Sequence, residues 1–401
     1  MTVVFEFLDV EPIENVITCL HYKADKVVYL GYQETINEVS ESTENFLKSV
    51  CGVGSVSFMS LSHEKLDSTK KNISSVIEKE KSEHNDLFFD ITGGEELSLV
   101  AFGMLADKHK VPIHFYDVAK GRLIVLSNDA PYTIRDRGEE REIKLNLDQY
   151  IRMSGGIINE NYDKEYKKQL SGSELEEVKK IWQVAGKHAE NWNVFSNIMK
   201  RLVGDSAEML VEGKYREILK LFEDTAYKKL QTPNALNAIL DDLSSVGILS
   251  DVIHSDGKYR FRFKNSHVRE SLLDGGSILE LFVFSQEYDH ADDCRVGVHL
   301  DWDGVIEGGS GRDVYNEVDV LTIKDNIPTF ISCKSGQMTG PKPLQALYEL
   351  NSVAERFGGK YAQKKLAISQ PISDVNYKRA KEMGIEIIDI FGNKTMLDVE
   401  D

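Results

Sequence analysis

The chain has 401 residues, of which 41% are hydrophobic and 28% are charged, so it contains enough apolar mass for two or three folded domains and is not a disordered chain. Its 66 acidic residues outnumber its 48 Lys and Arg residues, and the formal net charge is −18. A surface that is basic throughout is therefore excluded, and any contact with nucleic acid must be local.

The cysteines and the first residues indicate the compartment. Cys19, Cys51, Cys294 and Cys333 lie far apart and form no C-x-x-C pair that would bind zinc or a redox centre, so we expect reduced thiols. The opening run, Thr2–Phe7, lacks the basic segment and apolar stretch of a secretory signal, and the sequence shows no membrane-length apolar segment. These patterns predict a cytoplasmic protein.

Residues 1–155 are predicted to form an open, doubly wound α/β domain with a Rossmann-like parallel sheet. Short, nearly continuous apolar runs alternate there with amphipathic stretches, which is typical of parallel strands covered by helices on both faces. The predicted strands are Val3–Leu8, Lys26–Leu30, Ser55–Met59, Asp86–Ile91 and Pro112–Tyr116.

Two loops of this domain predict a ligand site at one edge of the sheet. The candidate ligand-binding residues are Asp9, Glu11 and Asn15 after the first strand, and Thr92, Gly93, Gly94 and Glu95 after the fourth. Doubly wound sheets bind ligands at this edge, and a strand–glycine–helix junction presents backbone N–H groups to an anion or a ribose. Alternatively, the glycines only make the turn and the glutamates only complement the helix N-terminus. Gly52–Gly54 precedes a strand and no G-K-[S/T] is present, so neither a dinucleotide fingerprint nor a P-loop is predicted.

Residues 156–272 are predicted to form helices followed by a winged helix. Ser173 and Glu176 have the spacing of a reciprocal helix N-cap, and Thr232-Pro233 predicts the start of a further helix. Asp256-Gly257 is a turn signal, and the run 258–264 alternates basic with aromatic residues at strand period. This ribbon would contact DNA, or alternatively would bury its aromatic residues in dimer packing.

Residues 273–401 are predicted to form a separate, small α/β domain. Its predicted elements are a helix at Gly275–Ser285 and strands at Cys294–Leu300, Val314–Ile323, Thr329–Ser332, Leu366–Ser369 and Ile385–Ile390. A turn predicted at Asp325-Asn326 would pair the second and third of these strands antiparallel.

Three features of this domain predict a metal-dependent site for phosphodiester cleavage. Glu280 lies on the helix, Glu317 and Asp319 share one face of a strand, and Ser332 and Lys334 share one face of the next strand. Carboxylates bind Mg²⁺ or Mn²⁺ through oxygen, and a lysine orients water or neutralises the developing charge. Taken singly, each acidic residue more often belongs to a solvated surface or an ion pair. Because this face is predicted to be solvated, Asp319→Ala or Lys334→Ala should abolish cleavage and change the free energy of unfolding by no more than about 1 kcal/mol.

The order of helix Glu, strand Asp and x-x-Lys resembles the PD-(D/E)XK nuclease superfamily over residues 275–400. The resemblance implies catalytic roles for Glu280, Glu317, Asp319 and Lys334, and metal ligation by Glu280, Asp319 and the backbone carbonyl of Cys333. The superfamily has an acidic residue two positions before the lysine, where this chain has Ser332, so a carboxylate from elsewhere is expected to take part. The following helix, 343–357, is predicted to present three polar residues near one face: Gln345, Tyr348 and Glu349.

The succession of a Rossmann-like domain with a Thr-Gly-Gly junction, a winged helix and this nuclease pattern resembles the CARF-domain ancillary nucleases of type III CRISPR defence. The resemblance spans nearly the whole chain. It implies a homodimer whose paired CARF domains bind a cyclic oligoadenylate, often the tetra-adenylate, and thereby switch on metal-dependent cleavage of single-stranded RNA and DNA or nicking of duplex DNA. The alternative is a ligand-responsive winged-helix DNA-binding regulator with a degenerate nuclease domain.

Overall fold

The computed structural model describes residues 1–61, 66–83, 86–127, 130–135, 143–160, 170–204, 206–214, 216–217, 233–255, 257–273, 276–305 and 315–390. Three sheets organise these ranges: a seven-stranded sheet near the N-terminus, a three-stranded sheet in the middle and a six-stranded sheet near the C-terminus. No helix within them is long and apolar enough to cross a membrane.

The N-terminal sheet has five parallel strands extended by a hairpin. Its strands are β1 (Thr2–Phe7), β2 (Lys26–Gly31), β3 (Ser55–Ser60), β4 (Asp86–Asp90), β5 (Ile113–Asp117), β6 (Arg122–Ser127) and β7 (Ala130–Arg135). Their order is β3-β2-β1-β4-β5-β6-β7, with parallel pairing from β3 to β5 and antiparallel pairing from β5 to β7. The five predicted strands are confirmed, and the β6–β7 hairpin, which the sequence analysis did not predict, extends the sheet beyond β5.

Helices cover both faces of this sheet. They are α1 (Ile17–Tyr22), α2 (Gln33–Phe46), α3 (Leu66–Ser82) and α4 (Glu96–His109). Val4 of β1 belongs to an apolar cluster with Ile17 of α1, whereas its neighbour Phe5 belongs to a second cluster with Phe102 of α4. Because successive strand residues point to opposite faces, both faces are buried, and the predicted doubly wound arrangement is confirmed.

The middle of the chain forms a helical and winged-helix region. Its elements are α6 (Gly172–Lys187), α7 (Ala189–Val203), β9 (Leu210–Lys214), α8 (Pro233–Ser245), β10 (Leu249–Ile253), β11 (Lys258–Phe263) and α9 (Ser266–Leu273). The three strands pair antiparallel in the order β10-β11-β9. Tyr259, Phe261 and Phe263 of β11 are buried in the core formed by the helices of this region. The aromatic face of the ribbon is therefore covered within the chain itself and not by dimer packing.

The N-cap of α6 corrects one prediction. The helix begins at Gly172, and its N-cap is Ser171, whose backbone N–H donates to the Glu174 carboxylate (2.7 Å) while the Ser171 hydroxyl oxygen accepts the N–H of Glu174 (3.4 Å). The predicted Ser173–Glu176 cap was wrong, because Ser171 and Glu174 have the same spacing and lie closer to the start of the helix. Four residues at predicted element ends lie outside the described residues: Thr232, Asp256, Gly275 and Val314.

The C-terminal sheet contains all the strands predicted for this part of the chain. Its elements are β8 (Ile157–Ile158), α10 (Ser277–Glu287), β12 (Asp293–Asp301), β13 (Tyr315–Lys324), β14 (Ile327–Lys334), α11 (Lys342–Gly358), β15 (Gln363–Ile368), α12 (Asp374–Glu382) and β16 (Ile385–Asp389). The strand order is β16-β15-β14-β13-β12-β8. β8, at the start of the region predicted to be the middle domain, thus pairs at the edge of the C-terminal sheet. Asp325 and Asn326 both have positive φ (55° and 65°), which is the conformation of a tight hairpin turn, and the turn prediction is confirmed.

Helices α10 and α11 pack on opposite faces of this sheet. Ile331 of β14 lies in a cluster with Leu279 of α10, while the adjacent Phe330 lies in the cluster that contains Leu347 of α11. That second cluster also contains Val4 of the N-terminal sheet and residues of α5 (Leu147–Met153). The N-terminal and C-terminal sheets therefore share continuous apolar packing through α5 and α11.

Candidate active site and the edge of the N-terminal sheet

A pocket between β13, β14 and α11 gathers most of the predicted catalytic residues. We name it the Lys334 pocket, and its polar lining consists of Glu317, Asp319, Ser332, Lys334 and Glu349. The turn at 325–326 folds β14 back along β13, which brings residues from two consecutive strands together. The packing of α11 on the same face then adds Glu349.

Asp319 holds the two strands together at the point where their ladder ends. The last paired residues are Val320 and Ile331, and beyond them Oδ2 of Asp319 accepts the backbone N–H of Cys333 (2.5 Å) and the hydroxyl of Ser332 (3.1 Å). The Asp319 side chain is only 15% exposed. The sequence-based expectation of a solvated strand face was therefore wrong at this position, because Asp319 replaces a backbone acceptor for a buried N–H.

Lys334 and Glu317 flank Asp319 in the pocket. Nζ of Lys334 lies 3.6 Å from Oδ2 of Asp319, and the lysine side chain is 35% exposed. Glu317 is opposite His299 on β12, and its carboxylate lies 3.9 Å from the Nε2 atom of that histidine while remaining 46% exposed. Glu317 thus has a basic neighbour and still faces the pocket.

Glu349 supplies a carboxylate that the sequence analysis placed on a helix without giving it a role. It is exposed, lies one residue before the buried Leu350 of α11, and lines the pocket with it. Tyr348, predicted on the same helix face, instead accepts a hydrogen bond from Arg379 of α12 (2.7 Å). The sequence signal for Glu349 was a polar residue within the apolar repeat of α11. That repeat predicts a helix, but it does not show which pocket the helix covers.

Glu280 and Cys333 belong to the other face of the sheet. Glu280 lies in the first turn of α10. It is not one of the described residues that line the Lys334 pocket. Cys333 is 9% exposed and packs in the same apolar cluster as α10, as expected for a core thiol. Their predicted metal-ligand roles stay predictions.

The carboxylates of the pocket are of the chemical type that binds a hard divalent cation. Asp319 uses Oδ2 for its three protein contacts, and Glu349 and Glu317 present further carboxylate oxygens, which Mg²⁺ and Mn²⁺ prefer. Among the described residues, no group of three or more His, Cys, Asp and Glu side chains is close enough to hold a metal ion. An ion here would therefore have few protein ligands, which suits Mg²⁺ because it retains several waters.

At the edge of the N-terminal sheet, Asp9 ties together the two loops that were predicted to meet. Its Oδ2 accepts the backbone N–H of Gly94 and its Oδ1 accepts that of Glu11, both at 3.0 Å. The Asn15 amide is fully buried and bonds both to the N–H of Asp9 (2.8 Å) and to its carbonyl (2.7 Å). Gly94 has φ 117°, and a Cβ there would lie 2.9 Å from Phe7. Asn15 and Gly94 therefore hold the shape of the edge, and ligand contact by these residues stays a prediction.

Thr92 connects this edge to a buried polar row that the sequence analysis missed. Its hydroxyl donates to Asp90 (2.6 Å) and accepts the backbone N–H of Tyr116 (2.9 Å). In the strand register, Asp90 of β4 lies opposite Glu6 of β1 on one side and His114 of β5 on the other. All three residues are at most 3% exposed. Burial raises the pKa of Asp90 to about 6, and burial together with the neighbouring Asp90 raises that of Glu6.

The loop after β1 contacts the end of α11, which we call the Glu14 junction. Glu14 accepts a hydrogen bond from the hydroxyl of Tyr361 (2.5 Å) and forms an ion pair with the ammonium group of Lys360 (2.8 Å). Glu11 accepts the backbone N–H of Lys360 (2.8 Å), and burial raises its pKa to about 7. A side chain at Gly359 would overlap the Glu11 carboxylate. The predicted ligand residue Glu11 and its neighbour Glu14 are therefore joined to the segment that directly follows α11, the helix that carries Glu349.

Glu95 and Gly93 complete the predicted edge. Glu95 is exposed and is the N-cap residue of α4, although its side chain makes no capping hydrogen bond. Gly93 is buried, and a Cβ there would lie 3.0 Å from Cβ of Asp9. The glycine thus allows the two loops to approach each other closely.

Comparisons with known proteins agree with this architecture. Residues 266–397 match the family model of the Card1-like endonuclease domain, and the sequence has no significant match among curated proteins. The fold is similar to protein VC1899 from Vibrio cholerae, with a TM-score of 0.69 and 19% identity over 97% of this chain and 94% of that protein. It is also similar to Can2 from Sulfobacillus thermosulfidooxidans, solved in complex with cyclic tetra-adenylate, with a TM-score of 0.65 and 16% identity over the same shares, 97% and 94%.

A third structure has a similar fold but a longer chain. A type III CRISPR defence DNA nuclease activated by cyclic oligoadenylate gives a TM-score of 0.50 with 15% identity over 95% of this chain, which spans 51% of that protein. The predicted succession of a Rossmann-like domain, a winged-helix region and a restriction-endonuclease-like domain is confirmed. Residues 266–397 thus match the Card1-like endonuclease domain, and over nearly its whole length the chain has the same fold as Can2.

Proposed function

We propose that the protein is a cytoplasmic, homodimeric nuclease of type III CRISPR defence, activated by a cyclic oligoadenylate. In this proposal residues 1–155 are the CARF sensor, 156–272 the connecting region and 273–401 the nuclease domain. Its substrates are single-stranded RNA and DNA, with nicking of duplex DNA as a further activity. The Lys334 pocket is the observation that carries the proposal, because it places carboxylates and a lysine together within an endonuclease-family domain.

The pocket residues have separable roles in this chemistry. Asp319 and Glu349 would hold Mg²⁺ or Mn²⁺, with Glu317, Glu280 and the carbonyl of Cys333 as further candidate ligands. When bound, such a cation stabilises charge on the phosphate and lowers the pKa of water. Lys334 provides a positive charge beside Asp319 and donates hydrogen bonds to the non-bridging oxygens of the phosphate. Ser332 orients the Asp319 carboxylate through its hydroxyl.

The edge of the N-terminal sheet is the proposed activator site. Can2, solved with cyclic tetra-adenylate, has the same fold, which supports a cyclic oligoadenylate as the ligand and the tetra-adenylate as the first to test. Asp9, Glu11, Asn15 and the 92–95 segment are the proposed binding residues. A cyclic ligand suits a two-fold pair of equivalent edges, and the exposed apolar side chains Val10, Val100 and Met104 are consistent with contact to a second copy.

The Glu14 junction offers a route from activator to catalytic pocket. A ligand that repositions the loop after β1 would act on Lys360 and Tyr361, and through α11 on Glu349. In this proposal activator binding and metal binding both act on the position of α11, which is how two distant sites become energetically coupled.

The test is cleavage by the purified full-length protein with Mn²⁺ or Mg²⁺, with and without cyclic tetra-adenylate. Labelled single-stranded RNA, single-stranded DNA and supercoiled plasmid are the three substrates. We expect cleavage that needs both metal and activator, is lost on adding EDTA and is lost in Lys334→Ala, but persists in Lys324→Ala, a control on an exposed lysine of the adjacent strand β13.

The same experiment distinguishes the alternative function. Ser332 in the position of the superfamily's acid favours a degenerate nuclease, in which case the outward-facing basic residues of β11 would bind duplex DNA. Activator-dependent binding of duplex DNA without cleavage of any of the three substrates would support this regulator and refute the nuclease proposal.

A further inference from the structure

A polar groove lies on the other side of the Lys334–Ser335 segment from the Lys334 pocket. We name it the α7 groove, and its polar lining consists of Asn193, Ser196, Asn197 and Lys200 of α7 with Gly276 and Ser335. Its volume is about 300 Å³, at the lower end of the range for ligand sites. Ser335 directly follows the proposed catalytic lysine, so consecutive residues of the chain line the groove and the Lys334 pocket.

The position of α7 is held by hydrogen bonds to the end of β14. The amide of Asn193 donates to the carbonyl oxygen of Ser335 (2.5 Å), which also accepts the hydroxyl of Ser369 (2.7 Å). The amide of Asn197 donates to the backbone carbonyl of Asn193 (2.9 Å). A helix of the connecting region is thereby fixed against the strand that carries Ser332 and Lys334.

Ser196 provides the sign that the groove receives a ligand. Its side chain is 2% exposed, lines the groove, and its hydroxyl has no hydrogen-bond partner among the described residues. Leaving a buried hydroxyl unpaired costs about 1 to 3 kcal/mol, so its retention needs an explanation. A bound phosphate or ribose oxygen would supply the missing partner.

The charge of the groove identifies the class of ligand. The described lining contains a cation, amides and hydroxyls but no acidic residue, although the protein as a whole carries a net charge of −18. Lys200 is exposed and makes no ion pair within the described ranges. Of the described lining residues, Leu273 alone is apolar and none carries an aromatic ring for base stacking. The groove therefore suits a sugar–phosphate backbone more than a base.

We propose that the α7 groove binds the backbone of the substrate strand next to the scissile phosphate, with Lys200 and Ser196 as positioning residues. This inference rests on the proposed nuclease function and extends it, because it makes the connecting region part of the substrate path. Contacts to the backbone alone carry no sequence information, so the groove favours cleavage that is independent of sequence.

The first test measures binding of labelled single strands to the full-length protein in EDTA, by fluorescence anisotropy across a series of salt concentrations. Lys200→Ala should weaken binding about three- to tenfold at low salt and reduce the slope of log K against log salt by about 0.7, since one phosphate contact is lost. Lys200→Arg should restore both values. Lys180→Ala, which removes an exposed lysine on α6, is the matched control and should change neither. RNA and DNA strands of equal sequence show which backbone the groove prefers.

Ser196→Ala separates substrate contact from a structural role. Because the hydroxyl has no partner among the described residues, its removal should leave the melting temperature unchanged or raised, while KM for the strand rises about threefold or more and kcat is retained. A lowered melting temperature with unchanged KM would mean that Ser196 serves packing only and would overturn its assignment.

The outcomes for the groove and for the nuclease are distinguishable. If the unmodified protein cleaves but Lys200→Ala leaves the salt slope unchanged, or Lys180→Ala changes it equally, the groove proposal is refuted and the nuclease proposal stands. Binding that depends on Lys200 without any cleavage supports the groove and refutes the nuclease. A protein that neither binds nor cleaves these strands contradicts both.

Discussion

Replacing Asp319 by Ala should cost the protein stability as well as activity, whereas Asp319→Asn should cost mainly activity. The carboxylate accepts the backbone N–H of Cys333 and the hydroxyl of Ser332 where the β13–β14 ladder ends. Alanine removes Oδ2, the one oxygen that accepts both bonds. Asparagine keeps one side-chain oxygen that can accept both bonds, but it loses the negative charge that a divalent cation requires.

The magnitude follows from the burial of these groups. Cys333 is 9% exposed, and leaving its N–H unpaired costs about 1 to 3 kcal/mol, with about 1 kcal/mol more for the Ser332 bond. The ion pair with Lys334 adds little, because that lysine is 35% exposed and 3.6 Å away. We therefore expect Asp319→Ala to lower the free energy of unfolding by about 2 to 4 kcal/mol and Asp319→Asn by about 1 kcal/mol or less.

Urea unfolding of the full-length variants gives the global difference, and amide hydrogen exchange of the peptide containing Cys333 gives the local one. A loss of about 2 to 4 kcal/mol corresponds to about 30- to 700-fold faster exchange at that amide if it exchanges by local opening. Both variants should be inactive with Mn²⁺. Equal stability and equal exchange for Asp319→Ala and Asp319→Asn would show that Asp319 does not hold β14, and full turnover in either would remove it from the catalytic set.

Three further predictions concern the metal, the domain coupling and pH. Ser332→Glu adds a carboxylate to the pocket and should tighten Mn²⁺ binding roughly tenfold, measured by calorimetry, and weaker binding would contradict the expected ligand order. Tyr361→Phe removes a hydrogen bond to a buried carboxylate, worth about 1.5 to 3 kcal/mol, so activator binding should persist while its stimulation of cleavage falls at least about threefold. Tyr348→Phe on α11, outside the Glu14 junction, is the control, and an equal effect there would refute the coupling route. The raised pKa of Asp90, about 6 against 3.8, means that the native protein loses up to about 3 kcal/mol as pH rises from about 4 through 6. Asp90→Asn should therefore raise the melting temperature at pH 7.5 but not at pH 4, and an equal shift at both would disprove the burial effect.

Much of the fold and half of the site depend on signals that are local in the sequence. Apolar runs of five or six residues predict the buried strands of both large sheets, because a strand covered on both faces needs apolar side chains at every position. Asp319, Ser332 and Lys334 were predicted to meet because only a tight turn at 325–326 separates their strands. Strand alternation alone then brings them to one face.

The remaining features arose from tertiary packing. Glu349 lines the pocket only because α11 packs across β14, and Glu14 meets Tyr361 only because the N-terminal and C-terminal sheets share a core. Tertiary packing also determines how far Asp319 is exposed to solvent and where Glu280 lies relative to the pocket. A sequence pattern specifies which side chains share a face of one element, since backbone geometry repeats with a fixed period. Which faces of distant elements meet is decided by the burial of apolar surface over the whole molecule, and no local period encodes that outcome.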